Sequence, residues 1–233
     1  MNFYKDKVKS LINDEKKFSD LAIYVDLIEE KNKVMNLTGF TGDILWKEGI
    51  YESLVYMKTS FENKINESNK NFLDVGAGAG FPSVPFLILH PEIKLTIYEP
   101  IKKRVAFLNI VKEKLKLTNL VILPIRAEES KDKEKFDFIC ARAVMDFGKI
   151  FEITHHVAKV GAYISFIKGP KVFQELENSR KIVSIFDEEI NIEQIDIFED
   201  KQNYLINYVK RSKTPQNFPR KWDKILKENN EKY

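Results

Sequence analysis

Three glycines at alternate positions constrain the fold of this chain more than any other feature. The sequence Asp74-Val-Gly-Ala-Gly-Ala-Gly80 follows a short apolar run and precedes an apolar segment that opens with Pro82, a residue favoured in the first turn of a helix. Glycines so spaced let the backbone turn sharply from a strand into a helix and let a ligand approach the main chain. The pattern predicts a strand, loop and helix that bind a cofactor at Gly76 and Gly78.

The residues after the loop favour a cofactor without a pyrophosphate. The dinucleotide fingerprint G-x-G-x-x-G requires glycine where Phe81 stands, and Pro82 removes one N–H donor that a phosphate at a helix N-terminus would use. The pattern D-x-G-x-G-x-G is instead typical of nucleoside-binding methyltransferases. We therefore predict S-adenosylmethionine, which carries no phosphate, and disfavour an NAD-dependent dehydrogenase.

Candidate partners for the rest of that cofactor follow later apolar runs. Glu99 ends one run and lies 23 residues after Gly76, the spacing at which a carboxylate accepts hydrogen bonds from ribose hydroxyls. Ala127 and Glu128 follow the next run, where such folds contact an adenine ring. The alternatives are a solvated carboxylate at Glu99 and a plain helix start with acidic residues after Arg126.

The segment 140–144, Cys-Ala-Arg-Ala-Val, follows the fourth predicted strand, at the sheet edge where open α/β folds bind ligands. It lacks the Asn/Asp-Pro-Pro-aromatic cluster of methyltransferases that act on the exocyclic amino groups of bases. Cys140 lies within an apolar predicted strand, which favours a core residue over a nucleophile. Arg142 is thus the candidate catalytic residue, or else a structural arginine in an ion pair. An arginine without a base suits a nucleophile that carries no proton, such as guanine N7, because transfer then depends on positioning.

Short apolar runs alternate with amphipathic stretches from residue 71 onward, which predicts βαβ units and a parallel sheet. Residues 1–70 show helical spacing of apolar positions, with Gly49 as a weak point in one helix. The runs 190–197 and 204–210 predict a terminal antiparallel pair joined by a turn at 199–203. The predicted organisation is an N-terminal helical cap (1–70), a methyltransferase domain (71–210) and a basic C-terminal tail (211–233).

Composition excludes several classes of site. A single cysteine excludes an internal disulfide, and three histidines leave little for a catalytic metal, so we expect no metal. The chain starts without the apolar run of a signal peptide, and no segment approaches the roughly 18 apolar residues of a membrane span. We expect a cytoplasmic monomer without a membrane partner.

The formal net charge of +3 hides an uneven distribution. Residues 187–200 hold seven acidic and no basic residues, whereas 208–222 hold five basic and no acidic ones. Further basic residues, among them Arg104, follow Glu99. This segregation predicts a localised surface that faces a polyanion such as RNA.

Seven short motifs, taken together, resemble those of the bacterial small-subunit (16S) ribosomal RNA guanine-N7 methyltransferase family, also known as glucose-inhibited division protein B. They are Met-Asn-Leu-Thr at 35–38, the glycine loop through Pro82 with Pro85, Lys-Arg-Val with Phe-Leu at 103–108, Arg-Ala-Glu-Glu at 126–129, Ala-Arg-Ala-Val at 141–144, Lys-Gly-Pro at 168–170, and Lys-Thr-Pro with Phe-Pro-Arg-Lys at 213–221. They run in family order through most of the chain.

The resemblance implies an α/β, Rossmann-like S-adenosylmethionine-dependent methyltransferase fold, with a mostly parallel seven-stranded sheet, helices on both faces and an N-terminal helical cap. It implies cofactor contacts from six residues and ribose binding by a seventh, which together are Gly76, Gly78, Phe81, Ala127, Glu128, Arg142 and Glu99. It implies contacts to small-subunit ribosomal RNA, or to a ribosomal particle, from Arg104, Lys168, Lys213, Arg220 and Lys221.

Two departures from the family pattern concern RNA docking more than cofactor binding. Gly49 stands where the family usually has a histidine, and the tail after Lys221 lacks the usual glycine. Two other functions therefore stay open from the sequence: methylation of a small molecule or protein by the same fold, and a nonenzymatic RNA-binding protein of ribosome assembly.

Overall fold

The computed structural model describes residues 3–61 and 70–227, and the described residues fall into two compact units that divide between Pro124 and Ile125. The strands are β1 (Asn71–Val75), β2 (Lys94–Tyr98), β3 (Leu120–Leu123), β4 (Phe136–Arg142), β5 (Ala158–Lys168), β6 (Asn191–Phe198) and β7 (Lys201–Val209). The α-helices are α1 (Phe3–Leu11), α2 (Glu15–Met35), α3 (Gly42–Ile44), α4 (Glu52–Phe61), α5 (Ser83–Leu89), α6 (Lys102–Lys114), α7 (Phe147–His155), α8 (Val172–Phe186) and α9 (Trp222–Lys227). A π-helix (Leu45–Tyr51) and a 3-10 turn (Ala127–Glu129) complete the described elements.

The N-terminal part of the first unit is helical, as the apolar spacing predicts. Helix α2 begins after Asp14, whose side chain caps the Lys17 amide at 3.0 Å, and buries Leu21, Val25 and Ile28. Gly49 lies within the π-helix between α3 and α4, which matches the predicted weak point. The predicted cap (1–70) includes residues 1–2 and 62–69, which lie outside the described residues.

The strands confirm the predicted α/β fold with a mostly parallel seven-stranded sheet, in the order β3-β2-β1-β4-β5-β7-β6. In the first unit β1 pairs in parallel with β2, and β2 with β3. In the second unit β4 and β5 are parallel, whereas β7 is antiparallel to both β5 and β6. Cys140 is buried within β4, as predicted for a core residue.

The terminal antiparallel pair is present, but its turn is shorter than predicted. Strand β6 ends at Phe198 and β7 begins at Lys201, because Lys201 pairs with Phe198 and Asn203 pairs with Ile195. The polar residues of 201–203 therefore belong to strand β7 rather than to a loop.

The predicted domain boundaries at 70 and 210 stay predictions, and residues 228–233 of the predicted tail lie outside the described residues. Among residues 3–61 and 70–227, no helix has the length and apolar character to cross a bilayer.

A buried polar network fixes the segment that follows β7 within the second unit. The imidazole of His155 contacts Thr214 Oγ1 through Nδ1 (2.8 Å) and Glu188 Oε1 through Nε2 (3.1 Å). The ammonium of Lys210 is buried and donates to the His155 and Ala158 carbonyls, both at 2.9 Å. Burial lowers the pKa of Lys210 and of His155, although the hydrogen bond that the imidazole donates to Glu188 opposes the shift at His155. Thr214, in the predicted tail, is thus tied to the buried side chains of His155 and Lys210.

His156 makes the stability of the protein depend on pH. Burial lowers the pKa of His156 to about 4 in the folded protein, whereas an unfolded imidazole titrates near 6.5. The unfolded chain therefore binds more protons between these values, so the stabilisation is fully present above pH 6.5 and is lost as the pH falls toward 4. We expect the free energy of unfolding to fall by roughly 2 kcal/mol between pH 7.5 and pH 5 through His156, measured by urea denaturation.

The matched variants are His156→Leu, which removes the titrating group, and His90→Gln, which changes a histidine outside the core. The first variant should make the pH dependence less steep, with the lowered pKa of His155 still contributing, and the second should leave the His156 contribution in place. An equally steep pH dependence in His156→Leu would contradict the assignment.

Candidate cofactor and RNA-binding residues

The predicted cofactor residues lie in both compact units, which are described in turn. In the first unit the glycine loop connects β1 to α5, which begins directly after Pro82. The Gly76 amide donates to the Tyr98 carbonyl (2.8 Å), and the Gly80 amide donates to the Ala77 carbonyl (2.8 Å). The loop is therefore held to the end of β2 and closed on itself by its own backbone.

Gly78 and Gly80 are required for different reasons. At Gly80, with φ +110°, a Cβ would lie 2.7 Å from Val84 Cγ2 and 2.8 Å from the Tyr24 hydroxyl, so the protein's own packing excludes a side chain. At Gly78, with φ +62°, the nearest atom to a Cβ is Arg104 Cζ at 4.0 Å. At Gly78 a Cβ would therefore meet no clash, and the positive φ rather than packing favours glycine there.

Glu99 is brought to this loop as the spacing predicts. Its Oε2 accepts a hydrogen bond from the Gly78 amide (2.9 Å), and its Oε1 accepts one from the Ile101 amide (3.0 Å). Arg104 Nη1 lies 3.7 Å from Oε2, and the Glu99 side chain is 1% exposed. Each carboxylate oxygen keeps acceptor capacity, since an ionised carboxylate offers about four acceptor sites. The geometry suits a ligand with paired hydroxyl donors.

Phe81 is mainly a packing residue within the first unit. Its ring is 5% exposed and lies edge-on to Tyr24, with 6.0 Å between the ring centres. A Cβ on Gly49 would lie 2.8 Å from Phe81 Cζ, so the glycine makes room for this ring. The predicted cofactor contact of Phe81 stays a prediction.

In the second unit, Ala127 and Glu128 form a short 3-10 turn after Arg126. Ala127 is buried, and Glu128 Oε1 is buried without a hydrogen-bond donor among the described residues. Arg126 Nη1 is 3.8 Å from that oxygen, and the Arg126 guanidinium lies 5.6 Å from the centre of the Trp222 ring. Burial raises the pKa of Glu128, and Arg126 opposes that shift. A buried acceptor without a donor is suited to a ligand amine.

Arg142 and Lys168 lie at the ends of neighbouring strands, and Arg142 pairs in register with Ile167. Lys168 does not extend freely into solvent. Its ammonium forms an ion pair with Glu175 (2.7 Å), donates to the Met145 carbonyl, and leaves the side chain 10% exposed. An RNA contact by Lys168 stays a prediction, and such a contact would compete with these internal ones.

The basic residues of the tail have different surroundings. Arg220 forms a two-point ion pair with Glu152, through Nε to Oε1 (3.0 Å) and Nη2 to Oε2 (2.7 Å), and Glu152 is 1% exposed. Lys213 and Lys221 are exposed. The sequence gives no signal that separates Arg220 from these lysines, because its partner is 68 residues away.

The structure adds three residues that sequence reasoning missed, namely Glu152, Glu175 and Trp222. Each contacts a residue that is distant in sequence, so the local sequence around it does not predict the contact. Within the described residues, no group of three or more His, Cys, Asp or Glu side chains could hold a metal ion.

The sequence model of one protein family, described as rRNA small subunit methyltransferase G, matches residues 17–209. Among curated proteins, the chain is 42% identical over 218 residues to the ribosomal RNA small subunit methyltransferase G of Mycoplasmopsis pulmonis, covering 91% of this chain and 93% of that protein. It is 49% identical over 166 residues to the protein of that name from Mesomycoplasma hyopneumoniae, covering 70% of this chain and 81% of the relative.

Solved structures support the fold. TYW2 from M. jannaschii, crystallised in complex with AdoMet, superposes with a TM-score of 0.53 at 15% sequence identity. The superposition covers 67% of this chain and 76% of that one. At this identity the likeness concerns the fold alone.

Replacement of Glu99 by glutamine tests the predicted ribose acceptor. The variant Glu99→Gln keeps the shape of the side chain but removes its charge and one acceptor oxygen. A hydrogen bond to a charged group is worth about 1.5–3 kcal/mol, so we expect the affinity for S-adenosylmethionine to fall roughly tenfold to hundredfold. Isothermal titration calorimetry measures the dissociation constant. The control is Glu113→Gln, an exposed position in α6, and an unchanged affinity in Glu99→Gln would refute the role.

Proposed function

The chain belongs to the rRNA small subunit methyltransferase G family, and from that premise we propose that it transfers a methyl group from S-adenosylmethionine to N7 of a guanine in 16S ribosomal RNA. The observation that carries the proposal is the extent of the family match, because residues 17–209 include every candidate cofactor residue. The two relatives named above carry the same description over most of their own length.

The residues present fit S-adenosylmethionine. Glu99 supplies acceptor oxygens for the ribose, the absence of a side chain at Gly78 lets the ligand approach the backbone, and the buried Oε1 of Glu128 accepts from the adenine amine. Ala127 lines the adenine side, and Phe81 forms apolar support below the loop. When bound, the cofactor supplies an electrophilic methyl group on a sulfonium.

In this proposal Arg142 positions the base rather than moving a proton. Guanine N7 has a lone pair in the plane of the base and no proton, so the reaction requires no general base. A guanidinium at the end of β4 offers five N–H donors in a fixed fork, which suits the guanine edge or an adjacent phosphate. The protein's contribution is then orientation of N7 toward the methyl group.

Cations near the cofactor residues suit RNA phosphates. The first turn of α6 begins with Lys102, Lys103 and Arg104 and has no acidic residue, an arrangement that the helix dipole disfavours. Lys102 and Lys103 are exposed, as are Lys213 and Lys221 in the second unit. A local arrangement that costs helix stability is expected where a ligand compensates it, and here that ligand is the RNA backbone.

We further propose that the protein acts as a monomer in the cytoplasm, on small-subunit RNA or a ribosomal particle. Mass spectrometry of 16S RNA from cells lacking this protein should show the loss of one 7-methylguanosine, which an intact copy restores. Retention of every 7-methylguanosine in those cells would refute the proposed function. Light scattering of the purified protein measures its oligomeric state.

Substitution of Arg142 tests the proposed positioning. We expect Arg142→Ala to lower the rate of methyl transfer to small-subunit RNA about 100-fold, the loss that a misplaced reactant can cause. Its melting temperature should change little, because Arg142 lies at the end of a strand rather than in its middle. The measurements are transfer of a labelled methyl group and thermal unfolding. Equal activity in the variant would remove Arg142 from the mechanism.

Neutralisation of the exposed tail lysines tests the RNA surface. Truncation after Tyr208 is a poor test, because Lys210 and Thr214 belong to the buried network of the second unit. We expect Lys213→Gln combined with Lys221→Gln to weaken RNA binding and to reduce the slope of log affinity against log salt by about 1.5, as two lost phosphate contacts predict. The control combines Lys133→Gln with Lys201→Gln, and an equal slope change in both pairs would contradict a localised surface.

A further inference from the structure

The loop between Arg142 and helix α7 has two unusual local features. Ala143 has φ +52°, a left-handed conformation that costs alanine free energy. Asp146 occupies the N-cap position of α7, yet its side chain forms an ion pair with Lys149 (3.0 Å) and makes no capping hydrogen bond. A positive φ at alanine persists where surrounding contacts hold the backbone in place.

Glu175, in the first turn of α8, caps α7 from a distance. Its Oε2 accepts a hydrogen bond from the Phe147 amide at 2.8 Å. The Phe147 amide is the first of α7, where a carboxylate both satisfies an unpaired donor and complements the helix dipole. Glu175 thus caps α7 in place of Asp146, although Phe147 lies 28 positions earlier in the sequence.

Lys168 completes the arrangement from the end of β5. Its ammonium lies 2.7 Å from Glu175 Oε2 and also donates to the Met145 carbonyl. The side chains of Lys168 and Glu175 are 10% and 20% exposed, so solvent screens the pair less than an exposed ion pair. The loop is therefore held at Met145 by a donor and at Phe147 by an acceptor, and we call these two side chains the 168/175 clasp.

We propose that Glu175 is a positioning residue for Arg142, because the 168/175 clasp fixes the backbone that leads out of Arg142. On its other side Arg142 is held in the β4–β5 ladder opposite Ile167. The direction of the Arg142 side chain then depends on the loop conformation that the clasp imposes. This inference rests on the proposed function, since it concerns the orientation of Arg142 during transfer.

The clasp differs from a simple ion pair because the donor and the acceptor cannot exchange places. Met145 offers a carbonyl, which needs the donor of Lys168, and Phe147 offers an amide, which needs the acceptor of Glu175. An exchange of the two charges, Lys168→Glu with Glu175→Lys, keeps the ion pair but sets a carboxylate against a carbonyl. The exchange should therefore fail to restore slow hydrogen exchange of the amides at 143–147, whereas a clasp that acts only as an ion pair would restore it.

A double-mutant cycle between Glu175 and Arg142 tests the proposal. We expect Glu175→Ala to lower kcat about tenfold, and Glu175→Gln, which keeps an acceptor for the Phe147 amide, to lower it less. If Glu175 acts through Arg142, the double variant Arg142→Ala with Glu175→Ala should be no slower than Arg142→Ala alone. Independent effects would multiply to a further tenfold loss, and that result would overturn the proposal.

A second readout does not depend on activity. Hydrogen exchange of the backbone amides at 143–147 should accelerate in Glu175→Ala and Glu175→Gln. It should stay unchanged in the matched control Glu177→Ala, an exposed position of the same helix that pairs with Arg180 at 2.7 Å. Unchanged exchange in both Glu175 variants would show that the clasp does not hold the loop.

Assays of the wild-type protein distinguish failure of the proposed function from failure of the positioning role of Glu175. If wild type transfers no methyl group to small-subunit RNA, the proposed function is wrong. In that case the same cycle is run on the affinity for S-adenosylmethionine, measured by calorimetry, because Arg142 is also a predicted cofactor contact. If wild type is active but the Arg142 and Glu175 effects multiply, the function stands and the positioning role is wrong.

Discussion

The hydrogen bond from the Gly78 amide to Glu99 joins the ends of two neighbouring strands, and the candidate cofactor residues of the first unit depend on it. Strands β1 and β2 are parallel, so their carboxyl ends lie at the same edge of the sheet. The bond uses one acceptor site on a buried carboxylate and fixes both the loop and the charge beneath it. Ile101 and Arg104 add to this, since one donates to Glu99 and the other neutralises it. A preformed acceptor in a preformed loop costs little reorganisation when a ligand binds.

The sequence predicts the relative positions of the glycine loop and Glu99, and the reasons are physical. Strand, loop and helix follow one another without interruption, so the positions of Gly78 and Glu99 depend on short-range geometry and on one strand pairing. The same holds for the order of strands and helices, because apolar periodicity is a local property. The turn after β6 is the exception, since the polar residues Lys201 and Asn203 suggest a loop but pair with Phe198 and Ile195 of β6.

The contacts that the sequence does not predict are those between distant side chains. Glu175 and Glu177 are both acidic residues of α8, yet one caps α7 and the other pairs with Arg180 on the surface. Likewise Arg220 and Lys221 are adjacent and basic, yet only Arg220 joins a buried carboxylate, that of Glu152. Charge pattern indicates where a polyanion can bind, but tertiary contacts decide which cations remain available for it. This is why the near-neutral total charge says little about the partner of the chain.

The glycine at position 49 is best understood as a packing feature rather than as the loss of a catalytic group. A Cβ there would lie 2.8 Å from both Leu45 Cδ1 and Phe81 Cζ, distances that real side-chain contacts do not reach. A larger side chain at this position therefore requires that the ends of the Leu45 and Phe81 side chains be displaced. Phe81 adjoins the glycine loop and contacts Tyr24, which donates to the Ala79 carbonyl at 2.7 Å, so a displacement of the Phe81 ring would act on the loop. Gly49 thus leaves the Phe81 ring in the position from which it supports the glycine loop of the first unit.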